Sequence, residues 1–177
     1  MGAKVNLGLN LGMVKFEIED IQYYFGKKTN NVAGPFLIIE RLHGLAIETN
    51  EKATAGCQPA LNYVHGGKKQ QWLLRKDLKL QEEIYIISVA NGMAFDKTTD
   101  AENHAPLILW ENHNEAWQRW HIKQTPDKLG WQFKSSHDSR VLDVGLDPQK
   151  GQGVWMWESH NQLHQQFLVL PVGKIPR

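Results

Sequence analysis

The sequence lacks the cysteines needed for disulfide bonds, because Cys57 is the only cysteine among its 177 residues. A single cysteine excludes an intrachain disulfide and favours a reducing compartment. No apolar run approaches the roughly 20 residues that cross a bilayer, and residues 1–11 lack the sustained apolar core of a secretory signal. We therefore expect no membrane span and a cytoplasmic location, with Cys57 as a small apolar residue near a turn rather than a nucleophile.

An excess of charge is also missing, since 20 Lys and Arg against 19 Asp and Glu give a formal net charge of +1. Proteins that bind nucleic acids usually present clustered basic residues, whereas this chain has only short basic pairs such as Lys68-Lys69. It also lacks a nucleophile paired with a base, a phosphate-binding loop and metal-ligand spacing. We expect no nucleic-acid partner, no enzymatic activity, no cofactor and no metal.

What the sequence does contain is a threefold internal repeat. Three acids, Glu48, Asp96 and Asp143, are each followed after 24 residues by an aromatic residue with a glutamine two places before it. These aromatic residues and glutamines are Trp72, Trp120 and Phe167, and Gln70, Gln118 and Gln165. Apolar residues twelve and ten places before each acid keep the same register. A period of 48 and then 47 residues is typical of repeat architectures.

Each repeat has the pattern of short β-strands. Apolar residues alternate with period two, as in Ile84 and Ile86, and turn-forming segments such as Asn91-Gly92 lie between them. We predict an all-β domain of many short strands that closes on itself to avoid exposed edges. Its parts are an N-terminal extension (1–34), lobe one (35–80), lobe two (81–129), lobe three (130–171) and a short tail (172–177).

The extension does not share the repeat. Met13–Ile18 alternates between apolar and polar residues and could form a strand. The segment could cap the repeat domain, pair with another copy in a homo-oligomer, or belong partly to an expression tag.

The repeated Gln-x-aromatic segments carry a family resemblance. Gln70-Gln71-Trp72, Gln118-Arg119-Trp120 and, in relaxed form, Gln165-Gln166-Phe167 resemble the signature of the ricin B-type β-trefoil lectins over residues 35–171. The resemblance implies a β-trefoil, which is a barrel of six hairpins with pseudo-threefold symmetry. It also implies that the signature aromatic residue packs in the core and that each lobe carries one shallow sugar pocket.

In this family an acid accepts hydrogen bonds from sugar hydroxyls and an aromatic residue stacks on the apolar face of the sugar. A carboxylate and a flat ring suit the two sides of a sugar, since its hydroxyls and its C–H groups point in different directions. The resemblance therefore implies binding sites in lobes two and three, formed by Asp96, Trp110 and Gln118, and by Asp143, Trp157 and Gln165. We expect His113 and His160 at the rims of these pockets.

Lobe one departs from this pattern. Glu48 is its acid, but Asn62 stands at the stacking position, with Tyr63 beside it as a possible substitute. We therefore expect lobes two and three to be the competent ones.

Further departures occur near the signature glutamines. Lys69, Trp117 and His164 stand where the family often has asparagine, and Trp155 replaces a frequent glutamine in lobe three. Trp155 and Trp157 should share one face of a strand, which could widen the stacking surface or bury one ring. We expect His164 and His121 to be surface residues, and His65, His113 and His160 to lie too far apart around the barrel for a metal cage.

These observations predict a carbohydrate-binding lectin whose partners are glycans or glycoconjugates with galactose or N-acetylgalactosamine type sugars. The alternative is a β-trefoil that serves as a protein-interaction or inhibitor module without sugar binding, which the altered polar positions favour.

Overall fold

A computed structural model describes residues 31–50, 52–77, 82–98 and 102–173 of the chain. Within these residues the chain forms twelve β-strands and three 3₁₀ turns, and none of its helices is long and apolar enough to cross a bilayer. Most of the extension predicted over 1–34, including the possible strand Met13–Ile18, lies outside the described residues. The first strand begins at Val32, inside the segment assigned to that extension.

The strands and turns follow one another in the same order in each lobe. The strands are β1 (Val32–Glu40), β2 (Ala46–Glu48), β3 (Ala60–Asn62), β4 (Trp72–Lys76), β5 (Ile84–Ser88), β6 (Ala94–Lys97), β7 (Ala105–Trp110), β8 (Trp120–Gln124), β9 (Trp131–Ser135), β10 (Val141–Asp143), β11 (Trp155–Trp157) and β12 (Phe167–Pro171). The 3₁₀ turns are Lys68–Gln70, Ala116–Gln118 and Leu163–Gln165.

Six of the strands close into a barrel. Antiparallel pairing runs from β1 to β4, β5, β8, β9 and β12 and returns from β12 to β1. The other six strands form one outer hairpin per lobe, β2–β3, β6–β7 and β10–β11. Closure removes the open edges of the sheet, and the threefold arrangement confirms the predicted β-trefoil.

The signature aromatic residues lie in the core, as predicted. Trp72, Trp120 and Phe167 are each 0% exposed. The Nε1 atoms of the two tryptophans donate hydrogen bonds to the carbonyl oxygens of Ile47 (3.1 Å) and Phe95 (3.3 Å), which satisfies the polar end of each buried indole. The aromatic residues of the repeat therefore form part of the inner layer of the barrel.

The outer hairpins separate a core face from an outward face. In lobe two, Phe95 and Leu109 face each other across β6 and β7 and are both 0% exposed. Trp110 pairs with Ala94, two residues before Asp96. Because directly opposed residues share a face and side chains alternate with period two, Trp110 and Asp96 lie on the same outward face of the hairpin.

Cys57 lies in the loop before β3 and forms an isolated β-bridge with Leu109 of lobe two. It is half-buried, and burial raises the pKa of its thiol. A raised pKa keeps the thiol protonated and unreactive at neutral pH, in keeping with a packing role.

Candidate functional site

Each lobe contains an acid, a signature glutamine and a histidine at equivalent positions, which we call the acid–glutamine–histidine frame. The acid stands in the first strand of the outer hairpin, and the signature glutamine ends the 3₁₀ turn. The Nε2 atom of that glutamine donates to one carboxylate oxygen of the acid, at 2.8 Å in lobe one and 2.9 Å in lobes two and three. The three frames are Glu48, Gln70 and His65; Asp96, Gln118 and His113; and Asp143, Gln165 and His160.

The signature glutamines have no free side for a ligand in this conformation. Gln118 Oε1 accepts a hydrogen bond from the main-chain N–H of His113 (3.0 Å), while its Nε2 also donates to the carbonyl oxygen of Glu111 (2.8 Å). Equivalent bonds hold Gln70 and Gln165, and all three glutamines are 0% exposed. The predicted site residues Gln118 and Gln165 are therefore buried and hold the acid in position through hydrogen bonds.

The histidines of lobes one and two donate to the acid. His65 Nε2 lies 2.6 Å from Glu48 Oε2, and His113 Nε2 lies 3.0 Å from Asp96 Oδ2. Their Nδ1 atoms accept hydrogen bonds from the main-chain N–H groups of Gly67 (3.0 Å) and Glu115 (3.3 Å). A neutral imidazole has one donor and one acceptor nitrogen, so Nε2 carries the proton in both lobes.

The histidine position is common to all three lobes. His65 and His113 each follow the acid by 17 residues, and His160 stands at the same place after Asp143. Sequence analysis assigned this position a role only in lobes two and three. Counting from the acid in lobe one would have found His65.

Lobe two combines an acid with an exposed indole. The side chain of Asp96 keeps only 6% of its surface exposed, and its bonds with Gln118 and His113 both fall on Oδ2. Among the described residues Oδ1 has no hydrogen-bond partner. Burial raises the pKa of Asp96, although Gln118 and His113 act in the opposite direction. Trp110 is 41% exposed, so a flat apolar ring stands beside a carboxylate oxygen that can accept another hydrogen bond.

The indole of Trp110 borders on lobe one. Gly56 lies against its six-membered ring, and a Cβ added at Gly56 would approach Cζ3 to 3.3 Å. Gly56 also has φ of +87°, a conformation that glycine adopts without strain. The loop before β3 can therefore pass close to Trp110.

Lobe three differs from lobe two in its acid. Asp143 accepts a hydrogen bond from the main-chain N–H of Gly145 on Oδ1 (2.7 Å) and one from Gln165 on Oδ2 (2.9 Å). Both of its oxygens are therefore engaged within the protein.

The aromatic residues of lobe three share one outward face, since Trp155 pairs with Asp143 and Trp157 with Val141. Both indoles are half-buried. The ring of His104 packs on Trp155, with 4.2 Å between centroids, and meets Trp157 edge-on at 6.1 Å. A histidine of lobe two therefore covers part of this stacking surface.

The prediction that His164 is a surface residue is wrong. His164 is 8% exposed, and its Nε2 lies 3.7 Å from Asp143 Oδ2 and 3.4 Å from His160 Nε2. Its main-chain carbonyl accepts a hydrogen bond from the N–H of Val144 (3.0 Å), which holds the 3₁₀ turn against the outer hairpin. The ring of His164 is buried because it packs against His160, with 4.8 Å between ring centroids. His121, in contrast, keeps 39% of its side chain exposed.

Lobe one contains a polar cavity of about 270 Å³. It lies between the outer hairpin of lobe one and the Lys150-Gly151 segment of lobe three, and no aromatic side chain of the described residues lines it. The side chains that line it include those of Glu48, Gln58, Asn62, Lys69 and Lys150. Tyr63, the predicted substitute for a stacking residue, is 66% exposed, and its ring centre lies 5.1 Å from Lys150 Nζ.

The carboxylate of Glu48 is saturated within the protein. Asn62 Nδ2 donates to Oε1 (3.1 Å), while His65 and Gln70 bond to Oε2. Burial raises the pKa of Glu48, but these hydrogen bonds outweigh burial and leave its pKa below the usual range. The asparagine at the stacking position therefore serves the acid, which agrees with the expectation that lobe one departs from the pattern.

Comparisons with known proteins agree with this geometry. The chain resembles the designed threefold symmetric protein ThreeFoil, with a TM-score of 0.73 and 21% identity over 79% of this chain and 100% of the other. It also resembles the Macrolepiota procera ricin B-like lectin in complex with lactose (TM-score 0.66, 19% identity, 78% of this chain and 96% of that one). The C-half of the earthworm R-type lectin in complex with GalNAc is similar as well (TM-score 0.59, 18% identity, 78% and 98%).

The comparison with curated proteins finds no match. The ricin-type β-trefoil lectin domain, however, matches residues 35–167, which is most of the chain. Together with the closed six-stranded barrel, this match shows that the chain belongs to the ricin-type β-trefoil lectins, a family of carbohydrate-binding domains.

Proposed function

We propose that this chain is a lectin for sugars of the galactose or N-acetylgalactosamine type and that its main site is in lobe two. The observation that carries the proposal is the pairing of Trp110, 41% exposed, with Asp96 on the same outward face. Asp96 is held rigidly by Gln118 and His113, yet its Oδ1 has no partner among the described residues. A fixed acceptor costs little ordering entropy when a ligand binds.

The chemistry of this surface suits a pyranose. Asp96 Oδ1 would accept hydrogen bonds from sugar hydroxyls, and hydrogen bonds to an ionised acceptor are stronger than neutral ones. The indole of Trp110 would cover the C–H face of the ring, since the negative face of an aromatic ring attracts C–H groups. Two similar lectin structures, one in complex with lactose and one with GalNAc, support a galactose-type ligand. We propose that the chain binds such sugars and catalyses no reaction on them.

We assign lobe three a secondary role in sugar binding. Its acid has both oxygens engaged, and its half-buried indoles are partly covered by His104. His160 Nε2 lies 3.8 Å from Asp143 Oδ2, and Trp157 shares the outward face of Trp155, which pairs with Asp143, so these residues would form a weaker site. Two sites on one chain would also strengthen attachment to a surface that presents many sugars.

A glycan array with the intact chain tests the proposal, followed by titration of free galactose monitored by tryptophan fluorescence. We expect galactose-terminated glycans to be retained and Asp96→Ala to lose that retention. Asp147→Ala is the matched control, because Asp147 is an acid with a 79% exposed side chain outside the frames. An array on which the intact chain retains no glycan would overturn the lectin proposal.

The second candidate is a β-trefoil that binds a protein through its loops. Exposed apolar side chains favour it, since Leu146 is 82% and Leu129 is 54% exposed. Isolated exposed leucines are common on protein surfaces, so this observation carries less weight than the acid and indole of lobe two. An empty glycan array would make this candidate the leading one.

A further inference from the structure

Two histidines and one acid meet at a point in lobe three. His160 Nε2, His164 Nε2 and Asp143 Oδ2 are arranged so that each can direct one atom into a common space. The distances are 3.4 Å between the two nitrogens, and 3.8 Å and 3.7 Å from the carboxylate oxygen to His160 and His164. Among the described residues no other group of three such ligands is found.

These three distances fit a small metal ion. A point equidistant from the three atoms lies roughly 2.1 Å from each, which is the usual length of a zinc–nitrogen or zinc–oxygen bond. A tetrahedral ion with bonds of about 2.05 Å separates its ligands by about 3.3 Å. The two nitrogens are already near that separation, and the carboxylate oxygen needs to approach by only a few tenths of an ångström.

The hydrogen bonding of His160 also differs from that of the equivalent histidines in the other frames. The hydrogen bonds of Gln165 fix the orientation of its side-chain amide. Its Oε1 accepts a hydrogen bond from the main-chain N–H of His160 (2.9 Å), and its Nε2 donates to the carbonyl oxygen of Glu158 (2.8 Å). This nitrogen lies 3.0 Å from His160 Nε2. The two protons of this amide nitrogen already point at Asp143 Oδ2 (2.9 Å) and at the carbonyl oxygen of Glu158. Among the described residues no carboxylate or carbonyl oxygen lies within hydrogen-bonding distance of His160 Nε2, so no acceptor holds a proton on this nitrogen.

A lone pair at this atom is what a metal ligand requires, because imidazole binds metals through an unprotonated nitrogen. In lobes one and two the equivalent nitrogen carries a proton and bonds to the acid at 2.6 Å and 3.0 Å. In lobe three it lies 3.8 Å from the acid, beyond hydrogen-bonding distance. The histidine and the acid are therefore hydrogen-bonded in the frames of lobes one and two but not in the frame of lobe three.

The residue that makes the difference precedes the signature glutamine. It is Lys69 in lobe one, Trp117 in lobe two and His164 in lobe three, so only lobe three offers a second imidazole. Two imidazoles and one carboxylate suit zinc and neighbouring transition metals, whereas magnesium and calcium prefer oxygen ligands alone. The side chain of His160 is 38% exposed, which leaves room for ion entry and for water as a fourth ligand.

We propose that Asp143, His160 and His164 form a binding site for one divalent transition-metal ion of the zinc type. The site belongs to lobe three alone and does not depend on sugar binding by lobe two. It also revises the expectation that no metal site exists, which compared histidines of different lobes and treated His164 as a surface residue.

The direct test is calorimetric titration of the full chain, stripped of metal by a chelator, with Zn²⁺ in the absence of sugar. We expect one Zn²⁺ per chain and no binding of Mg²⁺ under the same conditions. His164→Gln and His160→Gln should each weaken Zn²⁺ binding by more than about tenfold, since even the outer partners of metal ligands typically contribute that much. Addition of Co²⁺ should produce a visible absorption band in the wild type that both variants lose.

His113→Gln is the matched control, because it removes the equivalent histidine from a frame without a second imidazole, and it should leave Zn²⁺ affinity unchanged. His164 is buried, so its variant could lose the fold. The exposed His160 supplies the second variant, and thermal unfolding in chelator verifies that it is folded. Absence of Zn²⁺ binding by the wild type would overturn the site, as would equal losses in His113→Gln and His160→Gln.

Discussion

Lobes two and three place an acid, a glutamine and a histidine at the same positions, yet they hold their acids differently. The glutamine lies 2.9 Å from the acid in both. The histidine lies 3.0 Å from Asp96 in lobe two but 3.8 Å from Asp143 in lobe three. Among the described residues, one oxygen of the acid in lobe two has no hydrogen-bond partner and lies on the same face as an exposed indole, while in lobe three a second histidine lies near the acid.

The difference shows how little sequence change separates the surface that we propose for sugar binding from the cluster that we propose for metal binding. The barrel and the frame are shared, and the residue before the signature glutamine changes from Trp117 to His164. Trp117 packs against His137 with 5.2 Å between ring centroids, away from the acid, whereas His164 lies over it. A repeat fold can therefore vary each lobe independently without disturbing the core.

Lobes two and three share the buried aromatic layer of the barrel. Substitutions in that layer should have the largest effect on the free energy of unfolding. We expect Trp120→Ala and Phe167→Ala each to lower the free energy of unfolding by about 3–5 kcal/mol, because each leaves a cavity in the core. Trp110→Ala and Trp157→Ala should preserve the fold, since these rings lie on the outward face. Urea unfolding of the four variants measures the difference. If Trp157→Ala unfolds the protein, the assignment of faces in lobe three is reversed.

Much of this inner layer could be predicted from sequence, because it repeats. The period of the acids, glutamines and aromatic residues identifies the strands and their buried faces, and Trp72, Trp120 and Phe167 pack as expected. The assignment of Trp110 to the outward face also followed from alternation along the strand. Periodicity succeeds here because side-chain direction in a strand depends only on local geometry.

The parts that sequence could not supply depend on contacts between distant segments. His164 is buried because its ring lies beside Asp143 and packs against His160, and the neighbouring sequence does not indicate these contacts. The cavity of lobe one needs Lys150 from lobe three, about one hundred residues along the chain from Glu48. The oxygens of Asp96 and Asp143 differ because the N–H of Gly145 reaches only the second acid.

Substitutions on the outward faces of lobes two and three should change the free energy of sugar binding by a smaller amount. We expect Trp110→Ala to weaken galactose binding by roughly tenfold, which corresponds to about 1.4 kcal/mol, because it removes the exposed stacking surface of lobe two. Trp157→Ala should weaken it less, since that indole is half-buried and shares its face with Trp155 and His104. Calorimetry with galactose at matched protein concentrations measures both. A larger loss in Trp157→Ala would make lobe three the main site.

The smallest expected effect is on the pH dependence of stability, where lobe one can be compared with lobe two. The acids of these two lobes are held differently. Hydrogen bonds keep the pKa of Glu48 below its ordinary value of 4.5 despite burial, so its ionised form stabilises the fold above that pH, and this contribution is lost as pH falls through the folded-state pKa. Burial raises the pKa of Asp96 above its ordinary value of 3.8 despite Gln118 and His113, so the folded state takes up a proton before the unfolded state does and gains stability as pH falls.

By linkage, the stability difference between the wild type and Glu48→Gln should increase with pH across the acid range, whereas that between the wild type and Asp96→Asn should decrease. Each variant serves as the control for the other, because both replace a carboxylate of the frame by an amide of the same shape. Urea unfolding at a series of pH values from about 3 to 6, chosen to bracket ordinary carboxyl pKa values, measures the two slopes. Slopes of the same sign would mean that the two frames hold their acids alike, and would contradict the opposite pKa shifts of Glu48 and Asp96.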